Sequence, residues 1–424
     1  MRLRAALLTA LLAAGPAFAQ PVPNPPPTWP RPAEANYTVE RFHFHDGATL
    51  PSLRLHYATL GTPHRDARGQ VDNAVLILHG TGGSGQNFLR PQFAGVLFVP
   101  GGLLDPAKYF IVLPDSIGHG KSSKPSDGLH AKFPAYTYDD MVQAQYLLLT
   151  QGLHINHLRL ILGTSMGCMH SFVWGETHPS FMDAMMPLAC LPVQIAGRNR
   201  LWRQMVMDGI RNDPAWRGGD YSTEPREALR NASNILLIAG LAPLVAQSEL
   251  PTRDAADAYL NKRHEDDFAD LDANDLLYQV NASRDYDPSA KLGIITAKIM
   301  WINSADDFIN PPELGIAERM APACGTERLF FCQSARKPTG TVRIAGQRSG
   351  RTTSLNCSPR SRAPALRKAH RFDASELLCA RRTSLVFAFL VEVARLDRPP
   401  WCDPIWQRGR AQSWGPCPLG KNGI

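Results

Sequence analysis

The feature that most constrains this chain is a five-residue turn, Gly163-Thr164-Ser165-Met166-Gly167, set directly after the apolar run Leu158 to Leu162. A G-x-S-x-G pattern between a buried strand and a helix forms a sharp elbow that lifts the serine hydroxyl clear of the sheet. Glycine is needed at both flanks, where a side chain would collide with the neighbouring strand or helix. The following helix directs its free N–H groups at the turn and favours negative charge there. Five such residues recur by chance. With a strand before them and a helix-forming segment after, they mark Ser165 as a candidate nucleophile.

The surrounding pattern fits that context. Ala74 to Leu78 and Tyr109 to Leu113 are continuous apolar runs, as expected of strands buried on both faces of a parallel sheet, and Ala184 to Leu188 and Lys298 to Ile302 resemble them. Asp139 to Gly152 has helical length and spacing. Tyr37 to His45 and Leu53 to Leu60 alternate on either side of Asp46-Gly47, which predicts a hairpin. Strands and helices in alternation predict an α/β fold with a mostly parallel, doubly wound sheet. Between about residues 192 and 290 the strand pattern lapses into helix-prone segments, so a helical cap insertion is expected there.

A serine that accepts an acyl group needs donors aimed at the tetrahedral oxyanion. The backbone N–H of Met166, next after the serine, supplies one, and the loop His79-Gly80-Thr81-Gly82-Gly83 supplies the other through Thr81. That loop lacks the G-x-x-x-x-G-K-[ST] spacing of a phosphate cradle. The acid that orients a general base should follow a late strand, where Asp306 and Asp307 both stand as candidates. No metal and no resident cofactor is expected.

The ends of the chain read differently from its middle. Arg2 and Arg4, the apolar run Ala5 to Ala14 and Ala17-Phe18-Ala19 have the form of a signal peptide over residues 1–19, so an exported, periplasmic or secreted protein is expected. Residues 20–35, rich in proline, should form an extended leader. The net charge is +7, but from Cys324 onward 18 Arg and Lys face 6 Asp and Glu, a net of +12 that leaves about −5 for the first 323 residues. Six of the eight cysteines also follow residue 323. Neither nucleic acid nor a membrane is expected as a partner, since one cause described below accounts for the tail's charge.

Taken together, these residues resemble the homoserine O-acetyltransferase family of α/β-hydrolase-fold enzymes over roughly residues 36–320. Asn73 to Gly83 resembles its oxyanion loop. Asp140-Met141-Val142-Gln143-Ala144-Gln145, the elbow through Met169, and Trp174 resemble its run from helix to nucleophile. Asn212 to Trp216 with Gly218 to Tyr221, and Asp272-Ala273-Asn274 with Tyr278 and Asp285 to Asp287, are similar to its cap motifs. Asp307-x-Ile309-x-Pro311 resembles its acid motif and favours Asp307 over Asp306. Cys168 and Gly80 depart from it, standing where glycine and alanine are usual. The resemblance implies acyl transfer from an ester or thioester to water or a small alcohol, with acetyl-CoA as one possible donor and a homodimer as one possible assembly.

The resemblance also implies a Gly-His motif a few tens of residues past the acid, and none is present. His370 is the single histidine after Asp307, and no glycine precedes it. Without an imidazole the serine hydroxyl is a poor nucleophile. The loss coincides with the change in charge and cysteine content, which suggests a reading-frame shift. Codons allowed for Pro338 to Gly346, read from the third base of the first, can spell Tyr-Gly-His-Gly-Thr-His-Arg-Trp. On this reading residues 36–323 form a domain that lacks its last strand and helix, and 324–424 form an aberrant, basic, cysteine-rich and poorly ordered tail. An inactive or damaged family member is the alternative to an O-acyltransferase or ester hydrolase.

Overall fold

Short strands buried on both faces divide the interior in two by simple alternation. Val75, Ile77, Ile111, Leu113, Leu160 and Leu162 pack on one side with Phe88, Leu97 and Phe98. Leu76, Leu78, Val112, Ile161, Met185 and Trp301 face the other, against Met141, Phe172 and Trp174 of two long helices. This is the layering of a doubly wound sheet, with period-2 side chains feeding two cores. The protein is described by a computed structural model over residues 27–267 and 271–324, with the backbone of three further strands at 328–332, 341–345 and 352–356.

The strands are β1 (Ala33–His43), β2 (Thr49–Leu60), β3 (Ala74–Leu78), β4 (Phe110–Pro114), β5 (Leu160–Thr164), β6 (Ala184–Leu188), β7 (Lys298–Ser304), β8 (Arg328–Cys332), β9 (Thr341–Ala345) and β10 (Thr352–Asn356). They form one sheet in the order β1-β2-β4-β3-β5-β6-β7-β8-β9-β10. The run from β4 to β8 is parallel, with antiparallel pairs at both edges. The order reverses at β3, so chain segments leaving the C-terminal ends of β3 and β5 diverge and leave a crevice between them.

Between β6 and β7 the chain is helical, at Gly197–Arg211, Arg226–Gly240, Pro243–Glu249, Arg253–Asp267 and Ala273–Asn281. Trp202, Val206 and Ile210 recur every four residues along the first of these and meet Leu229, Leu276 and Val280 in a separate small core. The two cap motifs meet at Asn274, which accepts from Trp216 Nε1 at 2.9 Å and donates to Gly219 O at 2.9 Å. No single helix among the described residues is long and apolar enough to cross a membrane.

Two expectations need correction. The leader was read as extended to residue 35, yet β1 begins at Ala33 and Trp29 packs against the core beside Gly95. The sheet was expected to end by residue 323, yet β8 pairs in parallel with β7, Trp301 facing Leu329. Strand pairing uses backbone groups that every residue carries, so a change in charge content does not by itself end a sheet. The signal peptide, His370 and the tail beyond residue 356 lie outside the described residues.

Candidate active site

Ser165 stands between β5 and the helix Met166–Thr177 with φ 53° and ψ −109°. A non-glycine residue in that region carries roughly 1–3 kcal/mol of backbone strain and needs its surroundings to hold it. Those surroundings are visible. The Ser165 N–H donates to Leu188 O at 2.8 Å, and Ser165 O accepts from Met169 N–H at 3.1 Å. A Cβ on Gly163 would lie 2.0 Å from Gly167 O, and one on Gly167 would lie 2.1 Å from Leu78 O. Both flanking glycines are therefore required by close backbone approach.

The loop after β3 reaches the same spot. A Cβ on Gly80 would sit 3.3 Å from Ser165 Cβ, a contact tight enough that a larger residue there would need a slight shift. Thr81 follows directly. Met166 opens the elbow helix, where an N–H has no acceptor within the helix. His79 orients this loop. Its Nε2 accepts from the Ser116 N–H at 3.0 Å, so the proton sits on Nδ1, which donates to Gly80 O at 2.9 Å. Because a trans peptide points its C=O and N–H in opposite directions, holding Gly80 O fixes where the Thr81 N–H points.

Beneath the loop lies a buried polar cluster that the motifs did not reveal. His79 and His119 have ring centroids 5.0 Å apart, and His170, on the elbow helix, meets Gln145 Nε2 at 3.3 Å. Gln145 also accepts from Trp174 Nε1 at 2.8 Å. Burial lowers the proton affinity of all three histidines, taking His170 to about 3, with the charge of His79 adding to the effect. They are neutral at pH 7. Asp140 proves equally structural, because its carboxylate accepts from Thr137 and from the His45 N–H at 2.8 Å.

Ser165 opens onto a cavity of about 660 Å³ that Asp306 and Asp307 also line. Asp307 Oδ1 accepts from the N–H groups of Ile309 at 2.7 Å and Asn310 at 3.1 Å, which fixes its carboxylate. Asp306 accepts instead from the Ser304 hydroxyl. Arg198 and Asn199 line the cavity, whereas Trp202 and Tyr221 pack in the cap core. No histidine among the described residues lines it. The structure therefore brings Ser165, Asp307 and the Gly80–Thr81 loop to one place, with no described histidine facing the cavity they share.

A disulfide braces this arrangement. Cys168, in the elbow helix, is bonded to Cys190, just past β6 in the cavity wall. Cys190 is held to β7 in turn, its N–H donating to Asn303 Oδ1 at 3.1 Å and its O accepting from Trp301 Nε1 at 3.0 Å. The pair was not anticipated from sequence, where Cys168 registered only as a departure from glycine.

An elbow serine on a doubly wound parallel sheet, under a helical cap, defines an α/β hydrolase. The chain belongs to the α/β-hydrolase fold family, whose model matches residues 73–328. Within that class it is homoserine O-acetyltransferase-like. It is 30% identical over 279 residues to a probable acyltransferase from Methanothermobacter thermautotrophicus, covering 66% of this chain and 84% of that protein. It is 35% identical over 217 residues to a homoserine O-acetyltransferase from Moorella thermoacetica, covering 46% and 55% of the two chains. Its fold is similar to that of an acetylester hydrolase from Corynebacterium glutamicum, with a TM-score of 0.62 at 23% identity over 71% of this chain and 88% of that one.

Proposed function

We propose that this chain is built for acyl transfer through Ser165, to water or to a small alcohol. Ser165 Oγ attacks the carbonyl of an ester or thioester, and the N–H groups of Met166 and Thr81 receive the oxyanion. Asp307 is the acid that would orient a histidine, which would take the serine proton and pass it to the leaving group. Collapse of the tetrahedral adduct breaks the ester C–O or thioester C–S bond, releases the alcohol or thiol and leaves an acyl-enzyme. The observation that carries this reading is the strained Ser165 backbone, held at φ 53° by the two flanking glycines. Relatives named as acyltransferases and esterases support the class. Two assays divide the acceptors. Thiol released from acetyl-CoA only when homoserine is added indicates transfer, and turnover of p-nitrophenyl acetate alone indicates hydrolysis. Failure of every donor to acylate Ser165, even with a histidine restored, removes the proposal.

A second reading is favoured by one specific observation, that no described histidine lines the Ser165 cavity. On it, the chain as written is inactive because a frame shift past residue 323 has replaced the Gly-His element. Genomic DNA whose alternative frame lacks Gly-His codons in this region would exclude that explanation. Export to an oxidising compartment is supported by the Cys168–Cys190 bond, since such bonds are rare in the cytosol. Detection of the protein only in the cytoplasm, with residues 1–19 retained, would overturn it. A homodimer is kept as a proposal for light scattering to decide.

A further inference from the structure

The cavity beside Ser165 is larger and less polar than an acetyl ester of a small alcohol requires. At about 660 Å³, it has room for about 20 non-hydrogen atoms at the roughly 30 Å³ that a water molecule occupies in the liquid. Its wall draws Met169 from the elbow helix, Leu191 and Val193 from the segment after β6, and Leu241 from the turn between two cap helices. Phe308 and Leu314, from the loop after β7, add to this apolar part, and Gln194, Ser304, Asp306 and Asn310 also line the cavity.

Several polar side chains of the wall are already engaged within the protein. Arg198 donates to Phe308 O, and its guanidinium lies 4.2 Å over the Phe308 ring. Arg203 donates to Asn199 Oδ1 at 3.0 Å and Ser283 Oγ at 3.0 Å. Asp307 is satisfied by backbone N–H groups, as described above. An apolar guest disturbs none of these bonds, whereas a guest rich in charge has to draw groups from their partners.

We propose that this cavity binds an ester carrying an apolar chain of about six to ten carbons, a length that fits that space together with the ester group itself. This substrate class rests on the reading of Ser165 as the nucleophile that meets the ester carbonyl. Gly240 is an exposed residue of the cavity's wall. It lines the cavity, a Cβ built on it meets nothing within 4 Å, and its backbone is not left-handed. A large side chain can therefore be added there without backbone strain.

The test uses alkyl methyl ketones from 2-butanone to 2-decanone, uncharged ester mimics that cannot be hydrolysed, titrated calorimetrically into the full chain. The Kd should fall about fourfold per added methylene until the cavity is filled. Gly240→Phe should weaken the longer ketones by at least about tenfold while sparing 2-butanone, with Gly240→Ala close to wild type. A Kd that does not change along the wild-type series overturns the proposal whether or not the variant folds. So does a folded Gly240→Phe protein that binds the long ketones as tightly as wild type. Competition by hexyl acetate and methyl heptanoate assigns the chain to the alcohol or the acyl side. Competition by both no better than methyl acetate also overturns the proposal. Acylation of Ser165 is read separately by mass spectrometry. Chain-length-dependent binding without acylation in the histidine-restored chain keeps the cavity assignment and removes the nucleophile, and acylation of that chain without chain-length-dependent binding removes only the cavity assignment.

Discussion

Replacing Cys168 and Cys190 together by alanine removes one cross-link without leaving a lone thiol beside the cavity. The bond joins residues 22 apart in sequence. Closing a loop of that size in the unfolded chain removes entropy worth about 3 kcal/mol at 25 °C. Both sulfurs are buried, and deleting them adds a packing loss of roughly 1 kcal/mol. For a domain of this size the total of about 4 kcal/mol should lower the Tm by about 7 °C. Thermal unfolding of wild type and double variant, both without reductant, measures it. Peptide mapping should find Cys168 joined to Cys190 in the wild type. A Tm change under about 2 °C, or a map with both thiols free, would refute the idea that this bond braces the elbow helix against the cavity wall.

Four further outcomes are expected. Gly167→Ala forces a Cβ to within 2.1 Å of Leu78 O, and should cost about 3 kcal/mol or more in urea unfolding. His170 titrates near 3 when folded, against an ordinary 6.5. The unfolded chain therefore takes up a proton that the folded one refuses. Stability is full above pH 6.5 and falls as the pH drops toward 3, by up to about 1.4 kcal/mol per pH unit for this group. Denaturation midpoints at pH 7.5 and 5.0 should show the loss, and His170→Gln should reduce it, with His79 and His119 carrying the remainder. His79→Ala removes one of two hydrogen bonds on Gly80 O, the Gly83 N–H at 3.0 Å keeping the other, so in a histidine-restored chain it should reduce the rate of Ser165 acylation while Ser165 remains the labelled residue. Asp307→Asn in the same restored chain should slow acylation by on the order of 10⁴-fold, with a stability loss near 1 kcal/mol from weaker acceptance of the Ile309 and Asn310 N–H groups.

Much of this site is written locally and could be read from the chain. Gly163 and Gly167 are required by contacts within a few residues of Ser165 and with one neighbouring strand, so the elbow follows from five letters and their context. Strands β3 to β7 were legible because burial on both faces leaves each a central run of apolar residues. The start of β1 was not, since Ala33 to Asn36 are solvent-exposed and show no alternation. The Cys168–Cys190 bond depends on β6 returning beside the elbow helix, a tertiary fact with no sequence spacing to announce it. The His79, His119 and His170 cluster was hidden for the same reason. The boundary at residue 323 was misplaced because charge content was used to infer where the sheet ends, while β8 is held by backbone pairing. Asp307 could be preferred to Asp306 only through family resemblance, and the separate hydrogen bonds of the two carboxylates are consistent with that choice.

The central claim is that the sharp bend presents one serine to an acyl donor and that the chain as written lacks the base to activate it. Mass spectrometry of the full-length protein after exposure to an alkyl fluorophosphonate measures both parts. The adduct should form slowly or not at all on this chain, form rapidly on Ser165 once the alternative reading frame is restored, and vanish from that restored protein in Ser165→Ala. Rapid stoichiometric modification of the unrestored chain, or an adduct on any other residue, would contradict it.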